Sequence, residues 1–287
     1  MKPSLRKKRI FPSNLGDRLS VSFAVCELFV EGFFELLVIL PRLYPEATTS
    51  YWLSVAFGLF LFVNTLGNMF MSMATDLSSG ISILPSVLKP SWSYCPICMK
   101  NSPPRSFHCY QCNACILKRD HHCLFIGNCV GHANQRYYLM SVMYISFGAL
   151  YANYLNMDLA LESVATNLNF KTLIASFTPI FGWLLGLTES TSFFIAFQSG
   201  TCVLASIAFT ILFIFHLRIT LRGQTTHELR RIRDRSYDLG VVDNLREALG
   251  TRWYLVWIFP AISSPLPSDG LHFRKRDSTL LENVKDM

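Results

Sequence analysis

Residues 95–131 read CPICMKNSPPRSFHCYQCNACILKRDHHCLFIGNCVG and hold seven of the chain's nine cysteines. Two Cys-x2-Cys pairs, Cys95/Cys98 and Cys109/Cys112, have the spacing at which neighbouring thiolates reach one tetrahedral zinc about 2.3 Å away. With Cys115, Cys123, Cys129, His108, His121 and His122 there are ten candidates, or eleven with His132. Two closed zinc sites need only eight ligands. The surplus matters, because a purely structural module has no use for a spare cysteine beside a spare histidine. Spacing alone leaves open which residues pair and which are left over.

The flanks decide where this segment sits. The chain has 287 residues, 51% of them hydrophobic and 16% charged, with the apolar residues gathered into long runs. Tyr51–Ala74, Tyr137–Met157 and Phe193–Leu217 carry no formal charge and are long enough to cross about 30 Å of hydrocarbon. Leu19–Leu40 has the length of a fourth span but contains Glu27, Glu31 and Glu35, which recur every four residues and so share one helix face. A polar seam against Asn64 and Asn68 of the second span is the expected partner of that face. Leu173–Leu187 is short, is interrupted by Pro179, and suits a re-entrant or interfacial segment. Cys26 and Cys202, inside the spans, read as buried small residues.

Basic residues are retained on the cytoplasmic side of a membrane. They cluster before residue 19, across 75–136 and after Leu217, so both termini and the cysteine-rich loop are expected to be cytosolic. In that reducing compartment a disulfide framework is disfavoured and metal binding gains. The net charge of +7 is explained by the same membrane-flanking residues, which argues against nucleic acid. No cleavable signal peptide is expected, because the first apolar run is longer than a signal's core. The expected class is an all-α polytopic membrane protein with four transmembrane helices and a small cytosolic two-zinc domain between the second and third. The divisions are 1–18 (N-terminus), 19–74 (helices 1 and 2), 75–136 (zinc domain), 137–217 (helices 3 and 4 with a lumenal loop) and 218–287 (tail). RWYLVWIFP, residues 252–260, is too short to span and reads as an interfacial segment.

The pattern Cys-x2-Cys-x9-His-Cys-x2-Cys-x2-Cys-x4-Asp-His-His-Cys-x5-Cys resembles the cysteine-rich domain of the DHHC-type protein S-acyltransferases (palmitoyltransferases) at every position. TTHE at 225–228 resembles the family's TTxE motif, and NLREALG at 244–250 its C-terminal asparagine-containing motif. The resemblance implies one zinc on Cys95, Cys98, His108 and Cys115 and another on Cys109, Cys112, His122 and Cys129. His121 and Cys123 are then left for chemistry. An extended backbone here points 121 and 123 one way and His122 the other, so one conformation serves both tasks.

The implied reaction is acyl transfer through a thioester on Cys123, from long-chain acyl-CoA such as palmitoyl-CoA to cytosolic cysteines of membrane-proximal proteins. His121 is the expected base, oriented by Asp120, and the resemblance has Thr226 hydrogen-bond Asp120. A Cys3His site carries a formal charge of about −1 with its zinc, so the metals are expected to be structural, two per chain, and not activators of the thiol. Arg105, Lys118 and Arg119 are the candidates for the phosphates of CoA. The implied location is an endomembrane, Golgi or endoplasmic reticulum. The chain departs from the family's pattern at Leu124–Phe125, where Pro-Trp is usual, and at Asp76–Leu77–Ser78, where Asp-Pro-Gly is usual. The rival reading is a non-catalytic zinc-module adaptor or scaffold on a membrane anchor, in which nothing becomes linked to Cys123.

Overall fold

The computed structural model describes residues 12, 14–77, 88–166, 184, 186, 190–232 and 235–276. The expected Leu173–Leu187 segment therefore lies almost wholly outside the described residues. The apolar runs form long helices: α1 (Leu15–Phe34), α3 (Thr49–Ala74), α4 (Gln135–Thr166) and α5 (Ser190–Leu221). A π-helical stretch, Glu35–Ile39, links α1 to the short α2 (Leu40–Leu43), and α6 (Val241–Leu249) follows later in the chain. Two stretches, Thr49–Ala74 and Phe197–Leu221, are long and apolar enough to cross a membrane. Their large exposed side chains, Trp52, Leu53, Leu59 and Phe70 on α3 and Leu204, Ile207, Ile211 and Ile214 on α5, are apolar. Water disfavours such faces and hydrocarbon does not.

The protein is not all-α. Six three-residue strands form three separate antiparallel hairpins: β1 (Ser93–Cys95) with β2 (Lys100–Ser102), β3 (Phe107–Cys109) with β4 (Ala114–Ile116), and β5 (His121–Cys123) with β6 (Asn128–Val130). Each turn contains one residue in the left-handed region, Met99, Asn113 and Gly127 in order. Strands this short bury too little to hold a pair together alone, so the cysteines and histidines they carry must supply the staple.

The chain divides into two compact units. One comprises Val25–Thr65 and Val142–Phe213. Here Phe34, Ile39, Leu40 and Leu155 form a buried apolar cluster. The glutamates that begin on α1 meet polar groups on two later helices. Gln198 Nε2 donates to Glu27 Oε1 (3.0 Å) and Glu31 Oε2 (2.5 Å), Cys202 Sγ donates to Glu31 Oε1 (2.5 Å), and Asn156 Nδ2 donates to Glu35 Oε1 (2.8 Å). The seam thus joins α4 and α5, while the Asn64 amide donates to Phe60 O within its own helix. Cys202 is buried as expected, but Cys26 is exposed.

The other unit holds the start of α1, Leu66–Ser141 and the chain from Ile214 onward. Asparagines anchor the hairpins to helix ends, where the last carbonyls have no helical partner. Asn128 Nδ2 lies 3.4 Å from both Met73 O and Thr75 O, and its Oδ1 accepts from Cys129 N–H. Asn134, fully buried, donates to Ser72 O (3.1 Å) and Cys129 O (2.9 Å). Asn244 of the C-terminal motif caps α5 by donating to Leu221 O (2.9 Å). TTHE forms a capping box, with Thr225 N–H donating to Glu228 Oε2 (2.8 Å) and Glu228 N–H to Thr225 Oγ1 (3.3 Å).

Candidate active site and metal clusters

Two Cys3His clusters form from the sets anticipated: Cys95, Cys98, His108 and Cys115, and Cys109, Cys112, His122 and Cys129. A tetrahedron with zinc–ligand bonds of about 2.0 to 2.3 Å has edges of about 3.3 to 3.8 Å. Cys98 Sγ lies 3.2 Å from His108 Nδ1 and 3.6 Å from Cys115 Sγ. In the second cluster Cys109, Cys112 and Cys129 lie 3.6, 3.3 and 3.8 Å from His122 Nδ1. Donor set and spacing therefore fit one zinc in each.

The outer edges of the two histidines differ. His122 Nε2 donates to Asp17 Oδ2 at 3.0 Å, with the Asp17 side chain 3% exposed. Asn14 caps α1 by accepting from Asp17 N–H (2.7 Å) and also donates to that carboxylate. A carboxylate on the far nitrogen of a ligating histidine fixes the ring's tautomer and raises its basicity. His108 Nε2, in contrast, is buried without a partner among the described residues. Gly127 shows how closely the N-terminal segment lies on the third hairpin: its φ is +55°, and a Cβ there would meet Pro12 at 2.1 Å. The sequence reading missed Asp17 altogether.

The third hairpin supplies His122 and Cys129 to the second cluster and also carries two groups that belong to neither. His121 and Cys123 share one face of β5 and His122 takes the other, as alternation requires. His121 Nδ1 is 2.7 Å from Asp120 Oδ2, and Cys123 is near enough for its charge to act on the ring. Thr226 N–H donates to Asp120 Oδ1 (2.5 Å) and its hydroxyl to Asp120 Oδ2 (2.8 Å). Burial alone would raise the Asp120 carboxyl, but His121 and Thr226 hold it below the usual carboxylate range. Burial likewise disfavours the His121 imidazolium, and Asp120 with Cys123 outweighs it, pushing the pKa up to about 9. The arrangement brings a buried carboxylate, an imidazole and a thiol together, a set that can hold a thiolate beside an imidazolium and return the proton.

Residues 89–232 match the model of a family described as DHHC palmitoyltransferase. The chain belongs to that family. It is 37% identical over 246 residues to the human protein named "Probable palmitoyltransferase ZDHHC24", covering 83% of this chain and 84% of that one. It is 31% identical over 222 residues to "Probable protein S-acyltransferase 15" of Arabidopsis thaliana (69% and 78%), and 28% over 255 residues to mouse "Palmitoyltransferase ZDHHC22" (83% and 90%). As a DHHC palmitoyltransferase the chain is a membrane protein S-acyltransferase.

The three cations expected to meet CoA sit in different surroundings. Arg105 donates from Nε and Nη2 to Glu228 (2.6 and 2.8 Å) and from Nη2 to Gly223 O, with Tyr237 and Phe273 against its guanidinium. It clamps the TTHE capping box onto the hairpin domain, and removing one member of such a buried pair costs about 3–5 kcal/mol. Arg119 is half-buried, and the nearby thiolates of the second cluster favour its charged form. Lys118 is buried, and desolvation followed by the nearby Arg105 pulls its pKa down to about 7. His132, the eleventh ligand candidate, joins neither cluster: its Nε2 is 2.8 Å from Ser268 Oγ, and burial with Lys118 pulls its pKa down to about 4.

Two residues that the sequence reading left without a role join the site. His216 Nδ1 is 3.9 Å from Asp120 Oδ2, and its Nε2 is 3.2 Å from the Tyr138 hydroxyl. Nothing in the sequence signals them, since His216 reads as an interruption near the end of an apolar run.

Proposed function

We propose that Cys123 carries the acyl group in two thioester exchanges. In the first, Cys123 attacks the acyl carbon of a long-chain acyl-CoA as a thiolate, its proton already held on the neighbouring His121 imidazolium. The bond between that carbon and the CoA sulfur breaks, the bond to Cys123 Sγ forms, and the His121 imidazolium returns the proton to the departing thiolate. In the second, a cysteine of a membrane-proximal protein repeats the attack on the acyl-enzyme, and Cys123 is regenerated. One thioester replaces another each time, so the site needs a reactive thiol and close placement more than a large driving force. Asp120, held by Thr226, keeps His121 in the tautomer whose other nitrogen faces the thiol.

The observation that carries this reading is the position of His121 and Cys123 outside both metal clusters, on one strand with a metal-ligand candidate between them. Two zincs, held by the two Cys3His sets, would contribute folding free energy and fix the hairpins. The helices containing Leu19–Leu40, Tyr51–Ala74, Tyr137–Met157 and Phe193–Leu217 are read as four spans, with both termini and the hairpin domain cytosolic. An endomembrane location, Golgi or endoplasmic reticulum, goes with that orientation, and the substrates are proteins that present a cysteine near the membrane surface.

The test is incubation of the detergent-purified protein with labelled palmitoyl-CoA, comparing hydroxylamine-sensitive label on wild type and Cys123→Ser with zinc measured in both. Label on wild type alone, with about two zincs in each, is expected. A folded, zinc-loaded wild type that takes no label turns the weight to the adaptor reading.

A further inference from the structure

Asp120 is reached by a second imidazole as well as by His121. His216, in the last turns of α5, points Nδ1 at Asp120 Oδ2 from 3.9 Å. That is too long for a hydrogen bond and short enough for an N–H dipole to act on a buried carboxylate. The other nitrogen is taken by Tyr138 OH at 3.2 Å, and His216 and Tyr138 are both largely buried. The two rings also enclose His121. The Tyr138 ring stands edge-on to it at 5.1 Å between centroids, and the His216 ring lies tilted at 5.3 Å. With Asp120 anionic, the favoured arrangement has the Tyr138 hydroxyl donating to His216 Nε2, so that the Nδ1–H faces the carboxylate. The polar contacts on Asp120 then come from three segments: Thr226 after α5, His121 on β5 and His216 on α5 itself.

We infer that His216 and Tyr138 are positioning residues for the acyl transfer, a strut that walls in His121 and directs a further N–H toward Asp120 so that the imidazole keeps its reach to Cys123. The inference rests on the proposed roles of Asp120, His121 and Cys123. It gives the end of α5 a part in the chemistry: a displacement of that helix moves an N–H donor relative to the carboxylate that orients the base.

The experiment measures the initial rate of hydroxylamine-sensitive labelling by palmitoyl-CoA, with zinc content, for wild type, Cys123→Ser, His216→Leu, His216→Asn, His216→Gln and Tyr138→Phe. Asn places an amide N–H near the position of Nδ1, whereas Gln places it toward Nε2. His216→Leu is expected to lose about 10- to 100-fold in rate with about two zincs kept, the usual scale for a group that orients another. His216→Asn should recover to within about threefold of wild type, His216→Gln should stay near Leu, and Tyr138→Phe should fall between them. A His216→Leu rate equal to wild type overturns the strut. So does an equal loss in Leu, Asn and Gln, which would make His216 a packing residue, or a third zinc that disappears in His216→Leu, which would make it a ligand. Label persisting on Cys123→Ser would instead overturn the proposed nucleophile, a result separable from all of these.

Discussion

The second and third hairpins share one backbone plan and differ in what they hold. In β3–β4, Cys109 pairs with Ala114 and the turn carries Cys112 and the left-handed Asn113; in β5–β6, Cys123 pairs with Asn128 and the turn carries Ile126 and the left-handed Gly127. The first hairpin matches them with Cys95 opposite Lys100 and Met99 left-handed. Equivalent positions therefore recur at a constant step, Cys95, Cys109, Cys123 and then Cys98, Cys112, Ile126. Cys123 occupies a ligand's place in a hairpin whose second cysteine is a buried isoleucine. On the proposed mechanism, the difference teaches how a nucleophile is obtained from a metal-binding scaffold: the backbone geometry is kept and the partner ligand is withdrawn, which leaves one thiol held outside both clusters.

The sharpest way to break that comparison is to withdraw the partner from the second hairpin too. Cys112→Ala should lose one of the two zincs. Because His122 lies between His121 and Cys123, it should also remove autoacylation to below about a thousandth of wild type, read by metal analysis and labelling together. Asp120→Asn leaves both clusters intact and should lower the rate by about 10²- to 10⁴-fold, since the carboxylate that fixes the tautomer is gone.

The same variant carries a signature in pH. In the wild type the imidazolium is retained up to about pH 9 and is lost as pH rises through that value. Its contribution to stability is therefore fully present below about pH 6.5 and is lost across about pH 6.5 to 9. Asp120→Asn should move the inflection in the His121 ring titration, read by NMR, down toward about 6.5. An unmoved inflection would show that Asp120 does not set it.

Asp17→Asn should act on one cluster only. Against a chelator the second zinc should be released about 10- to 100-fold more readily while the first is unchanged, and equal release from both would sink the assignment. The smallest effect is expected at Leu124 and Phe125. They depart from the family's Pro-Trp but are 52% and 46% exposed, so Leu124→Pro with Phe125→Trp should keep both zincs and shift the autoacylation rate by less than about threefold.

How much of this was legible depended on the kind of signal. Cysteine and histidine spacing pointed to zinc, because ligand geometry constrains nearby residues directly, and the two ligand sets came from the family resemblance. The hairpins escaped, since strands of three residues held by ligands show no alternating run long enough to register. Helical periodicity placed Glu27, Glu31 and Glu35 on one face, yet it holds no information about which neighbour that face meets. Their partners are Gln198, Cys202 and Asn156. For Arg105, Lys118 and Arg119 the sequence shows the charge but not the surroundings, and Arg105 and Lys118 are buried. The fourteen-residue recurrence of Cys95, Cys109 and Cys123 was present in the letters and would have marked Cys123 as the odd member of a series.

The bond between Asp17 and His122 joins residues 105 positions apart, and it has a consequence for the order in which the molecule is made. At about 5–20 residues per second, the chain bearing Asp17 emerges several seconds to about twenty seconds before its partner histidine exists. Until the second cluster has formed, the start of α1 carries a carboxylate with nowhere to be buried. Metal loading is then the event that seals the beginning of the polypeptide, and protein made under zinc starvation should be clipped near Asn14–Arg18 by a protease that leaves the loaded form whole.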